Sequence, residues 1–145
     1  MIALIQRVKQ ARVDVQGQTI GQINHGILAL IGVEKDDSEQ QADALLRKIM
    51  QYRIFSDDNG KMNLSLQDIG GELLLVSQFT LVANTQKGLR PSFSSGASPA
   101  EGERLFAYLC EQAKKTELTI ATGEFAAEMQ VSLVNDGPVT FWLQS

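Results

Sequence analysis

The sequence predicts an α+β fold: a single domain of antiparallel, barrel-like sheet with about two helices packed outside it. Three observations predict it. Short apolar runs punctuated by glycine fill the first third of the chain. Two stretches with helical spacing and good caps follow, widely separated. The chain then returns to strand-like residues, with no repeat, low-complexity tract or linker dividing it. At 145 residues, 43% hydrophobic and 21% charged, residues 1–145 fit one ordinary globular domain.

The elements follow in order. Strands are expected at residues 2–8, 11–15, 19–23 and 27–33, with Gly17, Gly21 and Gly26 in the turns between them. Asp36, Asp37 and Ser38 offer caps for a helix running to about Tyr52, whose Ala42, Leu45, Leu46 and Ile49 share one face. A turn at DDNG precedes a nearly all-apolar strand, 72–79, that reads as buried on both faces. Residues 83–98 read as a long irregular loop, a common place for function. Ser98-Pro99-Ala100-Glu101 is a capping box with proline at the first helical position, opening a helix to about Lys115. Strands at 128–135 and 139–143 flank Asp136-Gly137-Pro138. There Asp-Gly signals a two-residue hairpin, while Pro138 cannot donate to a returning strand. The corner is either a tight turn at a sheet edge or a shaped backbone surface.

Several chemistries are excluded by residue count. One histidine, His25 in the turn NHG, and one cysteine, Cys110, leave no metal cluster and no internal disulfide, and no cofactor fingerprint is present. A Ser-His-Asp triad would have to use His25. GASPA (Gly96 to Ala100) lacks the last glycine of a nucleophile elbow, and Pro99 lacks the N–H an oxyanion hole needs. Gly60-Lys61 is not a phosphate loop, because Phe55 stands where the first glycine belongs. Leu66 likewise replaces the glutamate of a calcium loop. The first ten residues read as neither a secretory signal nor a membrane span, and the lone cysteine fits a reducing cytoplasm. A net charge of −4 argues against broad nucleic-acid binding, but Lys87 and Arg90 in QKGLRPS are placed to form a local basic patch.

Two polar clusters remain. In SQFTL, Ser77, Gln78 and Thr80 carry hydroxyl and amide groups that either finish a strand or orient a ligand. The second cluster is the Gly137-Pro138 corner, whose backbone carbonyls are strong acceptors.

SQFTL, RPSF (Arg90 to Phe93), GASP (Gly96 to Pro99) and NDGPVT (Asn135 to Thr140), in that order, resemble the D-aminoacyl-tRNA deacylases. QRV (Gln6 to Val8) and GKMN (Gly60 to Asn63) extend the resemblance over the whole chain. It implies a cytoplasmic homodimeric editing hydrolase that cleaves the ester between a D-amino acid and the tRNA 3′ end, rejecting the L form. In that family the Gly-Pro bond is cis and enters the partner subunit's active site. Carried over, Gly137 and Pro138 form the chiral selector, their two carbonyls turned to one side to grip an ammonium group. Arg7 holds that segment. Ser77, Gln78, Phe79 and Thr80 line the ester pocket. Phe125 and Met129 surround the terminal adenine, though by themselves both read equally as core. Glycyl-tRNA, with no side chain to clash, is also expected as substrate, with the ribose 2′-hydroxyl assisting catalysis. A methyl group at Gly137 is expected to damage activity far more than stability. Other classes open to the same residues are a cofactor-free small-molecule enzyme using Gln78 and Thr80, and a non-catalytic RNA-end binding module.

Overall fold

β1 (Ile2–Val15) is the spine of a six-stranded sheet in the computed structural model, which describes residues 1–145. One edge of β1 pairs antiparallel first with β3 (Gly26–Gly32) and then with β2 (Gln18–Ile23); the other pairs antiparallel with β8 (Gln130–Gln144). The expected strands at 2–8 and 11–15 are therefore one. Its register shifts between Val8 and Gln10, and there its inward face changes. Ala3 and Ile5 pack on the helix side, whereas Val8, Ala11 and Val13 pack on the other side.

The sheet is mixed rather than antiparallel throughout. β6 (Glu72–Ser77) runs parallel to β3, and β7 (Thr119–Thr122) runs parallel to β6. The cause lies in the connections, because each of these steps is a crossover through a helix, which returns the chain in its original direction. α1 (Glu39–Gln51) lies in the first crossover and α3 (Pro99–Lys114) in the second. Their apolar stripes, with Leu45 and Ile49 on one and Leu105 and Leu109 on the other, join Ile27, Ile31, Leu73 and Leu75 in the larger core. Leu28, Leu74 and Val76 face the opposite way into a smaller core with Val13 and Ile23. β6 is thus buried on both faces, as its composition implied. It ends at Ser77, however, and Phe79–Val82 form a 3-10 turn.

A third helix was not anticipated. α2 (Leu66–Ile69) is a single turn whose Ser65 cap accepts from the Asp68 N–H at 3.1 Å while the Asp68 carboxylate accepts from the Ser65 N–H at 2.8 Å. Its length hides it from periodicity. The DDNG turn joins β4 (Phe55–Ser56) to β5 (Met62–Leu64). There the Asp57 carboxylate accepts from Asn59 N–H, Lys61 N–H and Asn63 Nδ2, and these bonds, Asn63 foremost, hold its pKa below the usual range. At α3, Ser98 Oγ accepts from the Glu101 N–H, but the Glu101 side chain binds Arg104, so only half of the expected capping box forms.

Two glycines that read as turn residues instead allow backbones to meet. Gly21 lies inside β2, where a Cβ would stand 2.7 Å from the Thr122 carbonyl oxygen of β7, so the sheet curls until its ends nearly touch. At Gly26 a Cβ would stand 1.8 Å from the Glu72 carbonyl oxygen. Gly26→Ala must separate β3 from β6, and it is expected to lower unfolding free energy by about 3 kcal/mol or more in urea denaturation. Gly17→Ala, at φ +77° with open space around it, is expected to lose only about 1 kcal/mol. Equal losses at the two positions would contradict this account of β3–β6 contact.

Candidate active site

The C-terminal end of β6 carries the first cluster of candidate site residues. Gln78 leaves the sheet, donating its N–H to Ile31 O at 2.7 Å and accepting from Leu81 N–H at 3.2 Å. That bend starts the 3-10 turn, which lies so close over Gly32 that a Cβ there would meet Val82 and Leu81 at 3.0 and 3.1 Å. Ser77 and Gln78 are half-buried, while Thr80 is exposed and Phe79 is 67% exposed. The Gln78 Nε2 donates to Thr80 Oγ. The first N–H groups of such a turn, those of Phe79 and Thr80, have no carbonyl within it to meet.

Around this end lie the loop of residues 83–98 and the segment between β7 and β8. Phe93 packs against Phe79 with ring centroids 5.2 Å apart. The loop is pinned at its base by paired Asn84–Ser92 backbone bonds, by Ala97 N–H to Val33 O and by Lys35 N–H to Ser95 O. Phe125 is half-buried against Phe106 and Gly102 of α3. Met129 covers Gly123 next to Val76 of β6, so it lies beside the Ser77 end. The structure therefore brings Met129 to the Ser77 end of β6, whereas Phe125 packs on α3 with the larger core.

Gly137 and Pro138 are elsewhere. The expected hairpin is absent, because β8 continues antiparallel to β1 on both sides of the corner: Asn135 faces Val8 and Thr140 faces Gln6. Residues 136–139 stand opposite Arg7 alone, as an enlarged bulge. A bulge reconciles Pro138 with a strand, since its residues are released from the ladder. The Gly137–Pro138 bond is cis, and both residues are exposed.

Two side chains fix this bulge. Arg7, 12% exposed, donates from Nε to Asp136 O at 2.8 Å and from Nη1 to Ile54 O at 2.7 Å, with the Asp136 carboxylate 3.7 Å away. Asn135 spans the bulge from within: its Oδ1 accepts from Val139 N–H at 2.7 Å, and its Nδ2 donates to Val139 O and Thr140 Oγ. Arg7 is the residue the resemblance places here, whereas Asn135 carries no role in it. Its signal was an asparagine just ahead of an unpairable Gly-Pro, since such side chains replace lost ladder bonds. Gly137 has φ +156°, and a Cβ there would meet Val139 N and Cγ2 at 2.6 Å. Alanine at this position would therefore disturb the bulge itself, so a loss of stability is expected alongside the loss of activity.

The two halves do not meet within one chain. Arg7, opposite the bulge, pairs with Ile27 and through it with Leu73 of β6, whereas Ser77 lies four residues further along. Three strand spacings and that offset separate them by on the order of 20 Å. His25 is at the far end of β3 from Ile31 and Gln78, with its ring edge on Phe55. Cys110 is buried on α3, and desolvation pushes its thiol up to about 11, so it is not a ready nucleophile. A hollow of about 680 Å³ runs between Val15–Gly17 and Glu124–Gln130, touching the candidate site only at Phe125. No helix is long and apolar enough to cross a membrane.

The family described as D-Tyr-tRNA(Tyr) deacylase matches residues 4–144. A D-aminoacyl-tRNA deacylase of Proteus mirabilis is 63% identical over 144 residues, covering 99% of both chains. One of Haemophilus influenzae is 63% identical over 143 residues, again covering 99% of both. Among solved structures, the c-Myc DNA unwinding element binding protein superposes with a TM-score of 0.94 at 40% identity, covering 100% of this chain and 99% of that one. A probable eukaryotic D-amino acid tRNA deacylase shares the fold at 14% identity, with a TM-score of 0.82 and 99% and 98% coverage. A match that begins in β1, ends with β8 and takes in both halves of the site places this chain in the D-Tyr-tRNA(Tyr) deacylase family.

Proposed function

We propose that this chain hydrolyses the ester joining a D-amino acid to the terminal ribose of tRNA, working in the cytoplasm as a two-fold homodimer. Each copy inserts its Gly137–Pro138 bulge into the partner's Ser77–Thr80 pocket. One observation carries this reading: the Ser77–Thr80 cluster, exposed at Phe79 and Thr80, and the exposed Gly137–Pro138 bulge lie on the order of 20 Å apart in one chain. A single site can use both only if a second copy supplies one of them, and a two-fold axis does so reciprocally.

In the proposed site the carbonyl oxygens of Gly137 and Pro138 accept from the substrate's ammonium group, while the pocket holds the ester. With those two groups fixed, handedness assigns the remaining substituents on Cα. An L side chain would meet the main chain; a D side chain would point to open space. Glycine has no side chain to reject, so glycyl-tRNA is accepted. Phe125 and Met129 contact the terminal adenine through apolar faces. Water, oriented by the ribose 2′-hydroxyl, adds to the ester carbonyl, and the N–H groups of Phe79 and Thr80 hold the oxyanion. Collapse expels the ribose 3′ oxygen, giving free amino acid and tRNA. No cofactor enters. Thr80 is a poor nucleophile here: Gln78 already engages its hydroxyl, and His25 is about 20 Å of strand away.

Incubation with D-tyrosyl-tRNA and L-tyrosyl-tRNA tests the function. Release of the D form alone is expected, unchanged by chelators; equal release of both, or of neither, rejects it and favours the small-molecule or RNA-binding readings. Thr80→Ala is expected to keep its rate within about tenfold, whereas a 3′-charged substrate ending in 2′-deoxyadenosine loses a hundredfold or more. The opposite pattern would identify Thr80 as nucleophile. Asn135→Ala is expected to lower unfolding free energy by about 1 kcal/mol and deacylation by about tenfold. An unchanged rate in that variant would show that the bulge needs no bracing.

A further inference from the structure

The two cations of the 83–98 loop lie in an unusual stretch. Residues 73–100 contain no Asp or Glu, although the chain carries 17 acidic residues and a net charge of −4. Lys87 and Arg90 are therefore free of acidic neighbours in sequence, and neither forms an ion pair, unlike Arg7, Arg12 and Arg104. The loop's base is fixed by the Asn84–Ser92 and Ala97–Val33 bonds, so its exposed tip, 85–91, projects from a rigid rim. That rim belongs to the pocket, because Phe93 of the loop packs on Phe79. Thr85, Ser92, Ser94 and Ser95, all exposed, add hydroxyl groups along it. The groove on the other flank carries exposed Glu124 and Glu128, which repel phosphate.

We infer that the loop of residues 83–98 is the docking surface for the sugar-phosphate backbone next to the tRNA 3′ end, with Lys87 and Arg90 each contacting a phosphate. This rests on the function proposed above and adds the path of the RNA. Cations beside hydroxyl groups hold a nucleic-acid backbone without reading its sequence. An acidic protein with one such patch binds only where the patch points.

The test uses an uncharged RNA hairpin of acceptor-stem sequence ending in CCA, and two charged substrates, D-tyrosyl-tRNA and 3′-O-D-tyrosyl-adenosine, the second without phosphate. Lys87→Ala and Arg90→Ala are each expected to weaken hairpin binding roughly fivefold at 0.1 M salt and to reduce the slope of log affinity against log salt by about 1. Deacylation kcat/KM should fall equally on the tRNA and stay unchanged on the adenosine ester. Lys114→Ala with Lys115→Ala, at the opposite end of α3, should change neither binding nor slope. The docking surface is overturned if Lys87 and Arg90 variants bind the hairpin with the wild-type slope. Equal losses on both charged substrates, or an equal loss in the Lys114 and Lys115 variant, overturn it too. Failure of the enzymatic reading shows separately, as absent hydrolysis of either ester by the unaltered protein.

Discussion

Arg7 and Asn135 hold open a gap in the β1–β8 ladder, and the candidate site depends on it. Four residues stand opposite one, so the strand gives up its regular hydrogen bonds there. Buried groups left without partners would each lose about 1–3 kcal/mol. The guanidinium of Arg7 and the amide of Asn135 meet Asp136 O, Val139 N–H and Val139 O in their place. No buried side-chain polar atom in the protein lacks a partner. A backbone surface braced in this way loses little freedom when it meets a ligand, which is how a main-chain recognition element gains selectivity.

The fold puts its two exposed specialities at different kinds of place. Ser77–Thr80 sit where a parallel strand ends and the chain bends into a short turn, a position open to ligands in sheets with helical crossovers. Gly137–Pro138 sit on β8, which pairs with β1 alone. That leaves β8 with a long free edge, and Val134 and Trp142 on it are 45% and 52% exposed. Free apolar edges invite association unless covered. In the proposed homodimer the element that needs covering also carries the recognition segment.

Much of this was legible from residues. Both long helices fell within a residue of expectation, because their caps and apolar spacing are strong local signals. The contact of Arg7 with the Gly-Pro segment and the cis Gly-Pro bond were anticipated through the resemblance, and family membership stands on a match along nearly the whole chain. The misses are non-local. Gly21 and Gly26 looked like turns because nothing in sequence shows that Thr122 and Glu72 pass against them. Parallel pairing of β6 depends on crossovers, which strand composition does not reveal. The hairpin at Asp136-Gly137 was a correct local signal overruled by β1, which is long enough to pair with β8 on both sides of the corner. Asn135 could be assigned its bracing role only once the bulge was visible.

The central claim is that the bulge and the pocket meet between copies and never within one chain. A variant carrying both Thr80→Cys and Pro138→Cys tests it directly, since a disulfide requires Cα atoms within about 7 Å and Cys110 is buried. After mild oxidation, mass spectrometry without reductant should find covalent dimer linked through residues 80 and 138, and no internally bridged monomer. An internally bridged monomer, or the absence of any bridge in a protein that still releases D-tyrosine from tRNA, would contradict the account.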